Sequence, residues 1–221
     1  MRIDEFIRSR RRTIGLQISS DGRLIVRAPL RTSLKEIQSF IANKEDWIIL
    51  TQIKLKERAS AAKPHNYSDG ELFPFLGHDY PLKITDNGKS QLLFNNAFYL
   101  PRLLWPEAKK QFRDWYRKQA LSIISIRVEL FAEKHSLRYG LVRISNARRR
   151  WGSCNIKGNL NFSWRLMMAP VVVIDYVVVH ELAHLLVRNH SPRFWKKVEE
   201  MMPEYKIYRR WLRDNEKKLD L

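Results

Sequence analysis

An α+β fold is predicted for this chain: a helix bearing His-Glu-x-x-His packed on a small antiparallel sheet, joined by an N-terminal β-rich lobe and long helices. Two patterns predict it. Short runs of alternating hydrophobicity, bounded by Gly, Asp and Asn, recur between Thr13 and Leu100 and again between Leu141 and Trp164. Helical spacing governs the stretches between and after them. With 221 residues and 44% hydrophobic composition, the chain is long enough to bury a sizeable core. We read residues 1–104 as the β-rich lobe with one long helix and 105–221 as the metal-binding region, an arrangement also compatible with one continuous domain.

In chain order, Ile14, Leu16 and Ile18, then Leu24 and Val26, alternate around Ser20-Asp21-Gly22 and read as a hairpin. Ser33 caps a helix predicted to run to about residue 58, with Ile37, Ile41, Trp47, Ile48 and Leu55 near one face. After a loop at 61–70, short strands are expected at 72–76, 80–84, 91–94 and 98–100, separated by Gly77-His78-Asp79 and Asp86-Asn87-Gly88. Pro106 opens a second long helix to about His135, with Phe112, Trp115, Ile123, Ile126 and Leu130 inward. Strands at 141–145, 149–154 and 159–164 follow, the last two joined across Ile156-Lys157-Gly158. The valines at 171–173 and 177–179 favour a strand locally, but a ligand pair four residues apart needs a helix, and one apolar on nearly every side is a buried one. Helices at 192–202 and 205–218, separated at Pro203, close the chain.

His180-Glu181-Leu182-Ala183-His184, followed by His190, gathers three of the six histidines and a carboxylate in one short window. Residues four apart on a helix lie on one face, so His180 and His184 converge on one ion. Glu181 is then placed to take a proton from a metal-bound water, whose pKa falls to about 7. His190 cannot continue that helix, because six further residues would carry it about 240° round the axis from His184. A corner is expected: Asn189 tolerates a left-handed helix end, and Ser191-Pro192 supplies an N-cap and a first-turn proline. The spacing is that of the metzincin proteases, but Val187 stands where they carry glycine, which points to a different zincin branch. One Zn2+ per chain is the expected cofactor, with other divalent ions also suited to the site.

The start of the chain has no apolar core of a secretory signal before Arg8-Ser9-Arg10-Arg11-Arg12, and the longest apolar candidate, 171–187, contains Asp175, His180, Glu181 and His184. A cytoplasmic protein without a transmembrane segment is expected. Cys154 is the single cysteine, which excludes an internal disulfide; it reads as a small buried hydrophobe rather than a thiolate ligand or nucleophile. The net charge of +18 favours polyanionic partners, either nucleic acid or nucleotides, although the basic clusters are scattered and form no recognised nucleic-acid module.

Arg149-Arg150-Trp151-Gly152-Ser153-Cys154, Asn161-Phe162-Ser163-Trp164-Arg165-Leu166, Ala169-Pro170, the run from Ile174 to His184, Asn189-His190-Ser191 and Phe194-Trp195 together resemble the YgjP-like metal-dependent hydrolases and metallopeptidases, relatives of the SprT-like zinc proteases. Arg11-Arg12-Thr13-Ile14-Gly15-Leu16 and Leu76-Gly77 extend the resemblance over most of the chain. It implies a zincin-like α+β catalytic core with His180, His184 and His190 as zinc ligands and Glu181 as base. The activity it implies is peptide hydrolysis; nucleotide pyrophosphohydrolase action on nucleoside triphosphates is the alternative, and a nucleic-acid-associated module with a structural metal is a third. Arg149 and Arg150 are candidates for binding a developing oxyanion or a phosphate, and Trp151 for lining the cleft, with Gly152 allowing close backbone approach. Asp175 and Asn161 are candidates for orienting a ligand imidazole.

Overall fold

The computed structural model describes residues 3–19, 22–61, 65–86, 91–148 and 150–221, with no account of the side chains of 54–61. Ser20, Asp21, Asn87, Gly88, Arg149 and the Leu55 side chain, all named above, lie outside the described residues. The chain divides into two compact units, Met1–Lys63 and Pro64–Leu221.

In the first unit, strands β1 (Glu5–Ser9), β2 (Gly15–Ile18) and β3 (Leu24–Pro29) form a sheet ordered β1-β3-β2. The expected β2–β3 hairpin is antiparallel, and β1, which the hydrophobic pattern did not announce, pairs parallel to β3. Helix α1 (Leu34–Ala42) begins at Ser33, whose hydroxyl accepts from Glu36 N while Ser33 N donates to the Glu36 carboxylate at 2.8 Å. That reciprocal pair also lowers the Glu36 pKa, chiefly through the backbone bond at Ser33. The single helix predicted to residue 58 is broken: Asn43, a poor helix former, caps α1, and α2 (Glu45–Ala61) starts after it. Leu24, Val26, Ala28, Ile37, Ile41 and Ile48 make the core of this unit.

The second unit starts with β4 (Leu72–Phe75), β5 (His78–Thr85), β6 (Leu93–Phe94) and β7 (Phe98–Pro101), in the order β4-β5-β7-β6. Their inward rings, Phe73 and Phe98, meet Phe112 at 4.1 and 5.0 Å between ring centres on helix α3 (Ala108–Lys134). These strands therefore share one core with α3, and the division falls at Lys63–Pro64 rather than after residue 104. Buried positions on α3 step by four residues, through Phe112, Tyr116, Ala120, Ile124, Val128 and Ala132. Ile126 and Leu130, expected to face inward, are 61% and 48% exposed. Helix α3 packs against α4.

Strands β8 (Val142–Ser145), β9 (Gly152–Cys154) and β10 (Leu160–Ser163) form the sheet beside the histidine helix, in the order β8-β10-β9. The β9–β10 hairpin turns at Gly158 (φ 75) as expected. The sheet is mixed rather than purely antiparallel: two chain reversals bring β10 back parallel to β8, leaving β9 at the edge. Helix α4 (Val171–Ala183) follows, then α5 (Pro192–Met201) and α6 (Tyr205–Asn215). No described helix is long and apolar enough to cross a membrane.

Two contacts hold α4 in place. At its start, Leu76 and Gly77 form a tight turn with φ 51 and 86, and a Cβ on Gly77 would stand 2.9 Å from Pro170 Cγ. Within it, Asp175 is gripped by Arg127 of α3 through two bonds of 2.5 and 2.6 Å. The Arg127 side chain is 27% exposed and that of Asp175 only 8%, so losing the cation strands the more deeply buried charge. Arg127→Met should therefore lower unfolding free energy by about 2–4 kcal/mol, and Asp175→Asn by less. Urea denaturation of both variants checks this order, and an Arg127→Met midpoint equal to the parent's would show that the pair does not hold the helices.

Candidate metal centre

His180 lies one turn before the end of α4, and His184 is its C-cap at φ −67 and ψ −16. Beyond His184 the helix unwinds through bonds from Leu185 N to Leu182 O and from Leu186 N and Val187 N to Ala183 O, each 3.0 Å. Asn189 is not among the described residues with positive φ, so this unwinding turn stops the helix without a left-handed residue. Ser191 precedes α5 with extended backbone, and Pro192 occupies the first turn. His190 thus sits at the expected corner.

The three imidazoles converge. One ring nitrogen from each of His180, His184 and His190 lies within 4.8 Å of the others, and His180 Nε2 stands 3.0 Å from His190 Nε2. Two nitrogens bound at about 2.1 Å in a tetrahedron lie about 3.4 Å apart, so these rings meet that spacing with small side-chain adjustments. The contact from His184 Nδ1 to Val187 O, 3.1 Å, commits that nitrogen as donor and leaves Nε2 for the cluster. Beneath them Phe194, fully buried, stacks on His184 at 4.4 Å and meets His180 and His190 edge-on at 4.9 and 4.8 Å. Trp195 stacks on the outer face of His190 at 5.8 Å.

This apolar floor shapes the charge. Burial pushes the His180 pKa down to about 3, helped by the charges of His184, His190 and Arg209, and burial also lowers that of His184. His180 and His184 are therefore held toward the neutral imidazole, the form that binds divalent cations. Glu181 is 3% exposed, and burial raises its carboxyl to about 8 against the opposing charge of Arg150. Among the described residues, Glu181 Oε2 and His180 Nδ1 are buried without a hydrogen-bond partner. A carboxyl held in this way needs nearby positive charge to ionise, and the convergent imidazoles mark where an ion would supply it. The donor set fits a divalent metal.

A cavity of about 570 Å³ opens over these groups. Arg150 and Trp151 line it, as does Cys154, which is half-buried with its thiol pKa raised by burial and Arg188 Nη1 3.6 Å from its sulfur. Gly152 makes the closest approach: a Cβ there would fall 2.4 Å from Glu181 Oε1. Asp175 orients no imidazole, because Arg127 engages both of its oxygens. Asn161 sits on β10 opposite Ser153 and is not part of the cavity wall. The loop leading to Arg150 is tethered from beneath: the 3%-exposed Arg165 donates to Asp220 at 2.8 Å and to Asn146 Oδ1 at 3.0 Å, and Arg148 stands 3.4 Å from the other Asp220 oxygen. Sequence reasoning assigned no role to Phe194, Trp195, Arg188 or Arg209. Phe194 and Trp195 had a signal in their place just after His190, on the first turn of α5.

Three convergent imidazoles beside a buried carboxyl group form a centre able to hold a divalent metal. The chain belongs to the YgjP-like family, whose metallopeptidase-domain model matches residues 12–215. No curated protein matches it. Among solved structures it is similar to the crystal structure of the metallopeptidase zymogen of Pyrococcus abyssi abylysin, at 22% identity and a TM-score of 0.38, over 41% of this chain and 93% of that one, a likeness too distant to carry an argument.

Gly152→Ala forces the Glu181 carboxylate aside while leaving the histidines untouched. We expect metal content near that of the parent protein and hydrolytic activity reduced by about a hundredfold, as general-base catalysis implies. Metal analysis with turnover assays tests it; full activity would show that the carboxylate tolerates displacement.

Proposed function

We propose that the protein is a zinc-dependent metallopeptidase in which His180, His184 and His190 hold the ion and Glu181 is the general base. The observation that carries this reading is a buried, unpartnered carboxylate on the same helix as two of three convergent imidazoles. A set of three protein ligands is that of catalytic zinc, whereas structural zinc is usually closed by four. Bound there, the ion would supply a Lewis acid that polarises the scissile carbonyl and acidifies water.

The chain's own residues do the rest. Glu181 accepts the proton of the attacking water through its free Oε2 and returns it to the departing amine nitrogen. Gly152 lets the β9 backbone lie over that carboxylate and keep solvent from it. β9 is also the edge of its sheet and lines the cavity, so an extended polypeptide can pair with its backbone next to the histidines. That edge favours a peptide over a nucleoside triphosphate.

Glu181→Gln should abolish cleavage of unfolded polypeptide while metal content stays near one ion per chain. Chelation should abolish it too, and added zinc restore it. Cleavage retained by the glutamine variant would remove Glu181 as base, and Glu181-dependent hydrolysis of nucleoside triphosphates without proteolysis would overturn the peptidase reading.

A further inference from the structure

The cavity wall is basic, with Arg150, Arg188, Arg209 and Arg213 set against Glu181 and Glu216. Two of these cations are already engaged. Arg188 donates to Asn155 O at 2.6 Å and Ile156 O at 3.1 Å, pinning the β9–β10 turn to the end of α4. Arg213 bonds Asp214 at 3.0 Å. Among the described residues neither Arg150 nor Arg209 has a carboxylate within ion-pairing distance, and Arg209 is the one held in place by an aromatic ring, its guanidinium carbon 4.3 Å from the Trp195 ring centre. Trp195 also stacks on His190, so this guanidinium and the third imidazole share one indole as neighbour. A planar cation held flat on an indole keeps its edge donors free and pre-oriented, in the fork that matches a carboxylate.

We propose that Arg209 is a specificity-determining residue that binds an acidic side chain of the substrate next to the scissile bond, so that this protein prefers Asp- or Glu-containing peptides. The inference rests on the metallopeptidase reading above. A guanidinium fixed on an indole suits a single carboxylate. The net charge of +18 draws acidic chains toward the cleft in the same sense.

The test uses paired labelled peptides that differ only by Asp or Asn at each position flanking the cleavage site. Binding is followed by anisotropy to Glu181→Gln protein, and cleavage by the parent protein. The acidic member should bind and be cleaved roughly fivefold better at low salt, with the margin shrinking as salt rises. Arg209→Gln should bring the ratio near one, and Arg209→Lys restore part of it. Equal binding and equal Glu181-dependent cleavage of both peptides would overturn the inference while leaving the metallopeptidase reading intact. Acidic preference in binding without Glu181-dependent cleavage would overturn that reading and leave the carboxylate subsite standing. A preference unchanged by Arg209→Gln would remove Arg209 from the role.

Discussion

Burial of α4 on every side governs the second unit. Ten of its thirteen residues are buried, and its six valines would favour extended backbone if they were exposed. Only enclosure between α3, the β9 edge, α5 and α6 makes the helix the better solution. Enclosure must also fix its rotation, since slipping one residue turns a helix by about 100° and would carry His180 and His184 out of the cavity. The Asp175–Arg127 pair resists that rotation, and the Gly77 turn against Pro170 sets where the helix begins. Features far from the histidines therefore decide whether the histidines meet.

The same enclosure creates a conflict that the centre turns to use. Burying the His184 imidazole and the Glu181 carboxyl costs free energy in proportion to their lost hydration. Neutral imidazoles lower that cost for the donors, and the carboxyl remains in its protonated form until positive charge is close. Partners for His180 Nδ1 and Glu181 Oε2 would have stabilised the fold; leaving both unpaired keeps the two groups responsive to what enters the cavity.

What could be read from the sequence was local. The i, i+4 spacing of His180 and His184, the corner at Ser191-Pro192, and the hairpins at residues 15–29 and 152–163 each depend on neighbours a few positions away. What escaped was set by distant partners. Asp175 finds Arg127 forty-eight positions earlier, which no spacing rule announces, and so it was read as a partner for an imidazole. The inward face of α3 follows a four-residue step from Phe112 that passes through Ala120 and leaves Ile126 outside, whatever their relative hydrophobicity. Asn43 broke a helix whose apolar pattern ran straight through it. Arg209 was one basic residue among many until α6 laid it over Trp195.

The tether at Asp220 bears on the order in which the chain is made. Synthesis releases the His-Glu-x-x-His helix first, while the wall carrying Arg209 and the carboxylate that restrains the loop before Trp151 are still to come. Arg165 then spends that interval buried or hydrated without its counter-charge, fifty-five positions ahead of the residue that completes it. An emerging chain accordingly carries the metal ligands without an enclosed cleft around them.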